Sequence, residues 1–348
     1  MIIKMETKYF DLREKIDDEK IKEAAEAIKE GKLVLFPTET VYGLGANGLD
    51  ENAVKKIYAA KGRASDNPLI LHIADIKILD KLVKSVGDIE SKLIEKFWPG
   101  PLTIIFEKKE IVPNVITGGL NTVAIRMPEN LIARKLIRYS NLPIAAPSAN
   151  ISGKPSGTVL EDIKEEFDGK VDYMINGGKV NIGLESTVIR VVDGVIHILR
   201  PGKITKENFE DLGFDVAIEK QILGDYDGKE KVMSPGIKYK HYAPNTKSVL
   251  IYSKNNEKMV DKVKELAKNE NAVILCKTSN ENRYSGFDVI SMGDTLEEIS
   301  SNIFTILRKS DKLNKSLIII EGVKEEGLGL AIMNRLIRAT AHNYIKII

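Results

Sequence analysis

Two basic side chains that are separated by one residue are the first candidates for a chemical role in this sequence. Lys61 and Arg63 stand in the segment KGRASDNPL, where a helical pattern ends and a loop begins. The guanidinium of Arg is a planar fork and the ammonium of Lys is a compact charge, so the two together suit a polyphosphate ligand. Two cations at a helix C-terminus also complement the helix dipole. The pair alone therefore leaves both interpretations open.

A third basic side chain stands on an apolar strand pattern. Arg126 lies near the end of NTVAIRMP, and alternation along a strand places it on the same face as Thr122 and Ala124. A guanidinium on a largely apolar strand needs a partner, and a substrate carboxylate is one candidate. We therefore treat Arg126 as a candidate ligand of a carboxylate.

Hydroxyl and amide groups are concentrated in the segment APSANISGKPSG. Its polar side chains include Ser148, Asn150, Ser152 and Ser156. Ser148 lacks the flanking glycines of a nucleophile elbow, and the sequence shows no basic partner that would activate it. Such groups favour chemistry that depends on positioning and charge stabilisation, without a protein nucleophile.

The segment FPTETVYGLGANGLDENAV contains the spacing of a dinucleotide-binding loop, with Gly43, Gly45 and Gly48. Its context does not fit that use, because the preceding strand pattern ends at Pro37 and the next helix opens on the acidic Asp50. An acid at that position would repel a phosphate. We expect instead that the glycines let the backbone turn tightly beside a pocket whose polar groups come from PTET.

Composition narrows the classes of function. A formal net charge of +2 over 348 residues gives no global basic field for tight nucleic-acid binding. The single cysteine, Cys276, allows no internal disulfide and predicts a cytoplasmic protein. No apolar run approaches the roughly 18 residues of a membrane span, and the start lacks the apolar region of a signal peptide. The four histidines have no metal-ligand spacing, so we predict no protein-bound metal.

The elements that must position these groups fall into two blocks. Residues 1–212 mix helical patterns with strand patterns such as KLVLFP, NPLILHIAD and LTIIFEK. Within this block, Asp193-Gly194 between two apolar runs predicts a two-residue β-hairpin. Since hairpin and crossover connections occur together, the first block is predicted to be α/β with a twisted, mixed sheet.

The second block, residues 248–348, alternates strand and helix patterns in order. Its strand patterns are SVLIYS, AVILCKT, FDVISMG and SLIIIEG. This order predicts a smaller, Rossmann-like parallel α/β domain. Between the blocks, residues 213–247 show no sustained period and are predicted to be a linker, whose polar and aromatic cluster KYKHY favours contact with a ligand.

Taken together, these segments resemble one family across nearly the whole chain. The matching segments are FPTETVYGLGAN, KGRASDNPLILHI, FWPGPLT, TVAIRMP, APSANISGKPSGT, GLESTVIR and ILRPG, followed by SPGIKYKHYAP and GLGLAIMNRLIRAT. In this order they resemble the YrdC-like threonylcarbamoyl-AMP synthases, in their two-domain form. The resemblance therefore implies a YrdC-like catalytic domain in residues 1–212.

The resemblance also implies roles for individual residues. Lys61 and Arg63 match a catalytic K-x-R pair of the family. Contacts with threonine are implied at Thr40, His72, Arg126, Ala146 and Ser186. Contacts with ATP are implied at Arg63, Asn67, Thr122, Ser148, Asn150, Ser156, Arg200 and, from a loop of variable length, Ser234.

The implied reaction joins L-threonine, bicarbonate and ATP into threonylcarbamoyl-AMP and releases pyrophosphate, with Mg²⁺ accompanying ATP. The product supplies the group placed on the adenosine next to the anticodon of certain tRNAs. The implied downstream partner is therefore the tRNA threonylcarbamoyl-transfer machinery. In addition, we predict that residues 213–247 form a lid in which Tyr239 and His241 cover the nucleotide and exclude water.

Three alternatives accompany this interpretation. One is an RNA-binding module with a basic concave face and no catalysis, against which the near-neutral charge argues. Another is the carbamoyl-adenylate chemistry of the hydrogenase-maturation relatives, which are longer and carry zinc-finger regions, whereas this chain has one cysteine. The last is the NAD enzyme, which the context of the glycines disfavours.

Overall fold

The structure is a computed structural model, and it describes residues 6–219, 222 and 242–348. Within these residues, the first domain is built on one large sheet. Its strands are β1 (Lys8–Asp11), β2 (Val34–Phe36), β3 (Gly43–Asn47), β4 (Ile70–His72), β5 (Leu102–Glu107), β6 (Thr122–Arg126), β7 (Ile144–Ala145), β8 (Tyr173–Asn176), β9 (Thr187–Val192), β10 (Val195–Arg200) and β11 (Val216–Ile218). Their order is β1-β8-β2-β3-β7-β4-β6-β5-β9-β10-β11. Parallel and antiparallel pairs both occur, so the predicted mixed sheet is confirmed.

Helices of the first domain contribute to two separate apolar cores. They are α1 (Asp18–Lys29), α2 (Glu51–Lys61), α3 (Leu79–Leu82), α4 (Asp88–Phe97), α5 (Asn114–Thr117), α6 (Leu131–Ser140), α7 (Lys164–Phe167) and α8 (Lys206–Glu210). Side chains of α1 and α6 lie in one core, whereas α2 and α4 contribute to the other. The sheet is thereby held between buried apolar layers.

Local sequence sets both ends of α2 and thereby the positions of Lys61 and Arg63. Asp50 caps its N-terminus by accepting hydrogen bonds from the backbone N–H groups of Asn52 and Ala53. Gly62, at φ 60°, ends the helix in the left-handed conformation that favours glycine. The chain therefore turns between Lys61, the last helical residue, and Arg63.

The three glycines after PTET serve only in part as turn residues. Gly48 lies in the turn after strand β3, as expected, whereas Gly43 and Gly45 lie inside the strand, which corrects the expectation for these two. Small size at Gly45 and Gly48 is also needed for close packing. A Cβ at Gly45 would lie 2.6 Å from Cε1 of Phe36, and one at Gly48 would lie 2.7 Å from the carbonyl oxygen of Pro143.

The predicted hairpin is confirmed, while the predicted linker begins with structure. Asp193 and Gly194 both have positive φ, at 49° and 81°, as the tight turn between β9 and β10 requires. Strand β11 lies inside the range 213–247 that was predicted to be a linker, and it pairs in parallel with β10. The first sheet thus continues past residue 212.

The second domain contains the predicted parallel sheet. Within the described residues, its strands are β12 (Ser248–Ser253), β13 (Ala272–Cys276), β14 (Asp288–Ser291), β15 (Leu317–Glu321) and β16 (Tyr344–Ile347), in the order β14-β13-β15-β12-β16. Each neighbouring pair is parallel. The helices are α9 (Asn256–Ala267), α10 (Leu296–Asp311) and α11 (Leu328–Ala339). Strand β16 was not predicted, because TAHNYIKII shows little strand pattern.

The two domains share apolar and polar contacts. Val41 and Leu184 of the first domain belong to the apolar core that lies mainly in the second. Gly183 approaches α10 so closely that a Cβ there would lie 2.3 Å from the carbonyl oxygen of Ser300. The hydroxyl of Ser300 in turn donates to the carbonyl of Ile182 at 2.8 Å. The second domain is therefore packed directly against the segment that leads into β9.

Helix length and composition bear on membrane crossing. In the described part of the chain, no helix is both long enough and apolar enough to span a bilayer. The longest of the helices given above, α10, has 16 residues.

Candidate active site

Most of the predicted site residues lie around one pocket of about 730 Å³, measured with its open mouth. The predicted residues that line it are Thr40, Lys61, Arg63, His72, Arg126, Ala146, Ser148, Asn150, Ser186 and Arg200. Three of them stand at strand ends, since His72 ends β4, Arg126 ends β6 and Arg200 ends β10. The neighbouring parallel strands β4 and β6 place His72 directly opposite Arg126. Sheet topology thus assembles groups that are far apart in sequence.

Arg126 has partners within the protein, which the sequence did not predict. Its guanidinium donates to Glu39 at 2.5 Å and to the hydroxyl of Thr40 at 2.8 Å. A third bond reaches the carbonyl of Gly100 at 3.2 Å. Since Arg126 and Glu39 are both buried, this ion pair fixes the orientation of the fork at one end of the pocket. A substrate carboxylate would meet a guanidinium that is already held in place.

His72 is a neutral group in this environment. Burial, followed by the nearby charge of Arg126, lowers the pKa of His72 to about 3. Its Nδ1 atom is buried and has no hydrogen-bond partner among the described residues. A neutral imidazole offers one donor and one acceptor. His72 can therefore contact a polar ligand at neutral pH without adding charge.

The side chain of Lys61 holds the loop that carries Ser148 and Asn150. Its ammonium donates to the carbonyl oxygens of Ser148 at 2.5 Å and Asn150 at 2.6 Å. The hydroxyl of Ser148 donates to the Asn150 side chain at 2.7 Å. Burial, followed by the charge of Arg63, holds the pKa of Lys61 well below its usual value. Lys61 therefore lines the pocket while fixing the shape of its wall.

Arg63 and Arg200 extend the basic side of the pocket. Arg63 donates to the carbonyls of Asn67 at 3.3 Å and Pro68 at 3.1 Å. Arg200 donates to the carbonyl and to the hydroxyl of Ser186, each at 3.1 Å. Burial, and then the charge of Arg335, lowers the pKa of Arg200 to about 10, so it stays protonated at neutral pH. The lining thus carries more basic than acidic groups and suits an anionic ligand.

Three predicted ATP contacts, Asn67, Thr122 and Ser156, do not line the pocket. Asn67 is buried, and its carbonyl accepts from Arg63. Thr122 opens β6, four residues before Arg126. Ser156 donates its hydroxyl to Glu185 at 2.7 Å. Asn67 is thus bonded to the lining residue Arg63, and Ser156 is bonded to the lining residue Glu185. Thr122 shares strand β6 with the lining residue Arg126.

Sequence analysis missed two groups that line the pocket, Thr38 and Glu185. Thr38 gave a weak signal, because it belongs to the PTET segment and its hydroxyl lies 2.8 Å from that of Thr40. Glu185 gave none, since a lone acid before a strand has no distinctive pattern. Burial alone would raise the pKa of Glu185, yet Arg335 and Arg200 hold it below its usual value. Glu185 is therefore an anion in the wall.

Family models and known relatives match the chain over nearly all its length. The model described as "Telomere recombination", labelled for Sua5, YciO and YrdC, matches residues 26–202. The model described as "Threonylcarbamoyl-AMP synthase, C-terminal domain" matches residues 204–341. The threonylcarbamoyl-AMP synthase of Pyrococcus abyssi is 46% identical over 97% of this chain and 98% of its own. The chain belongs to the threonylcarbamoyl-AMP synthase family.

Other members of the synthase family agree in sequence and in fold. The threonylcarbamoyl-AMP synthase of Bacillus subtilis is 43% identical over 95% of each chain. The crystal structure of P. abyssi Sua5 complexed with L-threonine has a TM-score of 0.92 and 46% identity, and the match covers 98% of this chain and 100% of that one. E. coli YciO shares the fold, with a TM-score of 0.50 at 24% identity. These relatives do not favour the alternative of a non-catalytic RNA-binding module.

Three predicted positions of this synthase-family chain lie outside the described residues. They are Ser234, predicted to contact ATP, and Tyr239 and His241, predicted to belong to a lid. The neighbouring Tyr242 is described, lines the pocket, and stacks on Phe304 of α10 with ring centroids 5.2 Å apart. The next residue, Ala243, donates its backbone N–H to the carbonyl of Gly153 at 2.8 Å. The segment at Tyr242 and Ala243, which leads into the second domain, therefore passes beside the pocket.

In the described part of the synthase chain, no group of three or more His, Cys, Asp or Glu residues is placed so that it could hold a metal ion. Glu185 is the carboxylate that lines the pocket. Its two oxygens accept from Ser156 and Arg335. Both oxygens of this carboxylate are therefore engaged within the protein.

Proposed function

We propose that this chain condenses L-threonine, bicarbonate and ATP into threonylcarbamoyl-AMP and releases pyrophosphate. The observation that carries the proposal is a single pocket with two kinds of basic group. Arg126 is held by an internal carboxylate, whereas Arg63 and Arg200 are held by backbone carbonyls. An amino acid and a triphosphate are both anionic, so we assign threonine to Arg126 and the triphosphate to Arg63 and Arg200. We call these two parts of the pocket the threonine end and the phosphate end.

The threonine end would act by orientation. Arg126 would bind the α-carboxylate, because a held guanidinium matches a carboxylate with two parallel hydrogen bonds. Neutral His72 and the hydroxyls of Thr40 and Ser186 would bind the amine or the side-chain hydroxyl of threonine. Ala146 supplies a small apolar wall for the methyl group. The amine is thereby aimed toward the phosphate end of the pocket.

The reaction would proceed in two steps. In the first, the threonine amine attacks the carbon of bicarbonate or CO2, and a carbamate forms with loss of water from bicarbonate. In the second, a carbamate oxygen attacks the α-phosphorus of ATP, the bond to the β-phosphate oxygen breaks, and pyrophosphate leaves. Mg²⁺ enters as part of the MgATP substrate.

The phosphate end would stabilise the charge that builds during the second step. Arg63 and Arg200 line the pocket and would donate to the phosphates, while Lys61 keeps the loop of Ser148 and Asn150 in shape. Preorganised donors of this kind lower a barrier by about 3 kcal/mol each. No side chain is required as a nucleophile, which agrees with the lack of an activated serine in the motif APSANISGKPSG.

The product is a mixed anhydride of a carbamate and a phosphate, so it needs an acceptor. We propose that the acceptor is the adenosine next to the anticodon of certain tRNAs, reached through the tRNA threonylcarbamoyl-transfer machinery. We further propose a cytoplasmic location, which is supported by the single, buried Cys276.

An omission assay tests the proposal. Purified full-length chain is incubated with MgATP, L-threonine and bicarbonate, and each is left out in turn while pyrophosphate and adenylates are followed by mass spectrometry. Threonylcarbamoyl-AMP should form only in the complete mixture. The variant Arg138→Ala, which changes an exposed side chain of α6, should behave as the wild type. Release of pyrophosphate without threonine, or formation of ADP in place of an adenylate product, would contradict the proposed reaction.

A further inference from the structure

One arginine of the second domain reaches the wall of the pocket in the first. Arg335 lies on α11 and is fully buried. Its Nε donates to the Glu185 carboxylate at 2.9 Å, and its Nη1 donates to the carbonyl of Pro201 at 2.7 Å. Nη1 also donates to the side chain of the adjacent Asn334 at 3.0 Å. A single guanidinium therefore joins two segments of the first domain.

Those two segments carry groups of the proposed active site. Glu185 directly precedes Ser186, and Pro201 directly follows Arg200. Ser186 and Arg200 are bonded to each other, and they flank the open end of the β9–β10 hairpin. The second oxygen of Glu185 accepts from Ser156. Movement of Arg335 would thus be transmitted to both residues through one covalent neighbour each.

We propose that Arg335 is a positioning residue for the synthase reaction, acting through Glu185 and Pro201 on the placement of Ser186 and Arg200. The inference rests on the proposed function and deepens it by giving the second domain a part in catalysis. A buried ion pair is an expensive way to join two surfaces, because the lost hydration often outweighs the attraction, and apolar contacts would join them as well. The ion pair of Arg335 and Glu185 adds a fixed geometry beside the substrates.

A second polar contact across the same interface provides a control. Asn302 of α10 accepts a hydrogen bond from Lys179 of the first domain at 2.7 Å. Neither residue lines the pocket, and neither is next in sequence to a predicted site residue. Loss of this bond should therefore weaken the interface without altering Ser186 or Arg200.

The test compares Arg335→Met, Arg335→Lys, Glu185→Gln, the double variant Arg335→Met with Glu185→Gln, and Asn302→Ala. Arg335→Met should lower kcat or raise KM for ATP by roughly tenfold to a hundredfold, since small misplacements of binding groups have effects of this size. Arg335→Lys should retain part of the activity. The double variant should be more active than Arg335→Met, because it removes the uncompensated buried carboxylate. Asn302→Ala should lower the thermal midpoint but leave kcat and KM within about twofold.

Three outcomes would overturn the inference: equal kinetic losses in Arg335→Met and Asn302→Ala, no recovery in the double variant, or losses that follow the thermal midpoint alone. If Arg335→Met does not fold, the double variant and Arg335→Lys still decide the matter. Binding of MgATP to the same proteins, measured by calorimetry, keeps this test separate from the proposed function. A wild type that makes no threonylcarbamoyl-AMP would refute that function, whereas weaker ATP binding in Arg335→Met would still support the positioning role.

Discussion

Each domain holds buried polar side chains at the ends of its strands, yet the two groups differ in how their hydrogen bonds are used. In the second domain, Glu321 ends β15 and is fully buried. It accepts from the backbone N–H of Lys277 at 2.8 Å, the amide of Asn280 at 2.8 Å and the hydroxyl of Tyr284 at 2.5 Å. In the first domain, His72 lines the pocket, and its buried Nδ1 atom has no such partner among the described residues.

The difference shows what distinguishes a site from a structural network. The Glu321 group matches one acceptor side chain with three donors, so its polar atoms satisfy one another. The pocket of the first domain instead brings several basic side chains around open space. Both lie where strands end, a usual place for ligands in α/β proteins. Strand topology therefore places both groups, while the open space among the basic side chains distinguishes the pocket from the Glu321 group.

The largest expected effect comes from the phosphate end of the pocket. Arg63→Ala should slow threonine-dependent pyrophosphate release by about a hundredfold or more, because a preorganised donor lowers the barrier by about 3 kcal/mol. The assay is steady-state pyrophosphate release, with Arg138→Ala as the control. An unchanged rate in Arg63→Ala would remove this residue from the site.

The next effect separates the two ends of the pocket. Arg126→Lys keeps a charge beside Glu39 but loses the planar fork, so the KM for threonine should rise roughly tenfold to a hundredfold, as for a lost hydrogen bond to a charged group. The KM for ATP should stay within about twofold. A rise in the KM for ATP alone would place Arg126 at the wrong end.

The lowered pKa of His72 predicts that the free energy of unfolding depends on pH. Its pKa is lowered to about 3 in the folded protein from a reference near 6.5. Between these values the unfolded chain binds a proton that the folded protein does not, so stability is lost as the pH falls through this window. The contribution reaches about 1.4 kcal/mol per pH unit.

Urea unfolding of the wild type and of His72→Gln, measured across this pH range, checks the prediction. The variant should show a shallower loss of unfolding free energy at low pH, because glutamine does not titrate. Identical slopes for the two proteins would mean that His72 is protonated in the folded state.

The smallest effect concerns the second domain. Tyr284→Phe removes one hydrogen bond to the buried Glu321 carboxylate and should lower the free energy of unfolding by about 1.5–3 kcal/mol, the range for bonds to charged groups. Its kcat and both KM values should stay within about twofold. Tyr344→Phe, which loses a bond to the less buried Glu325 at 3.0 Å, is the matched control and should be affected less. A large kinetic loss in Tyr284→Phe would show that the Glu321 group is more than structural.

Local sequence patterns predicted what depends on neighbouring residues. The turn at Asp193-Gly194 and the helix that begins after Asp50 follow from short stretches of chain, and the parallel second sheet follows from the alternation of strand and helix patterns. The β3 glycine Gly45 was misjudged because its tight contacts come from Phe36 and Ile144, and only the fold brings these together. The strand β11 was missed for a related reason, since its three residues become a strand only by pairing with β10.

The same distinction applies to the site. Motif order located Lys61, Arg63, Arg126 and Arg200, but no pattern indicated the side chains that hold them. Glu39 lies 87 residues from Arg126, and Glu185 lies 150 residues from Arg335. Such partners are set by packing between distant elements and between the two domains. Sequence therefore predicted the groups that meet the substrates better than the groups that fix their geometry.

The central claim is that one pocket joins threonine, a one-carbon unit from bicarbonate and the adenylate of ATP. The most direct measurement supplies ¹³C-bicarbonate with MgATP and L-threonine to the wild-type chain and examines the adenylate product by mass spectrometry. The product should carry the heavy carbon between threonine and AMP, and none should form with Arg63→Ala at comparable times. An unlabelled threonyl-adenylate, or no threonine-dependent product at all, would contradict the account.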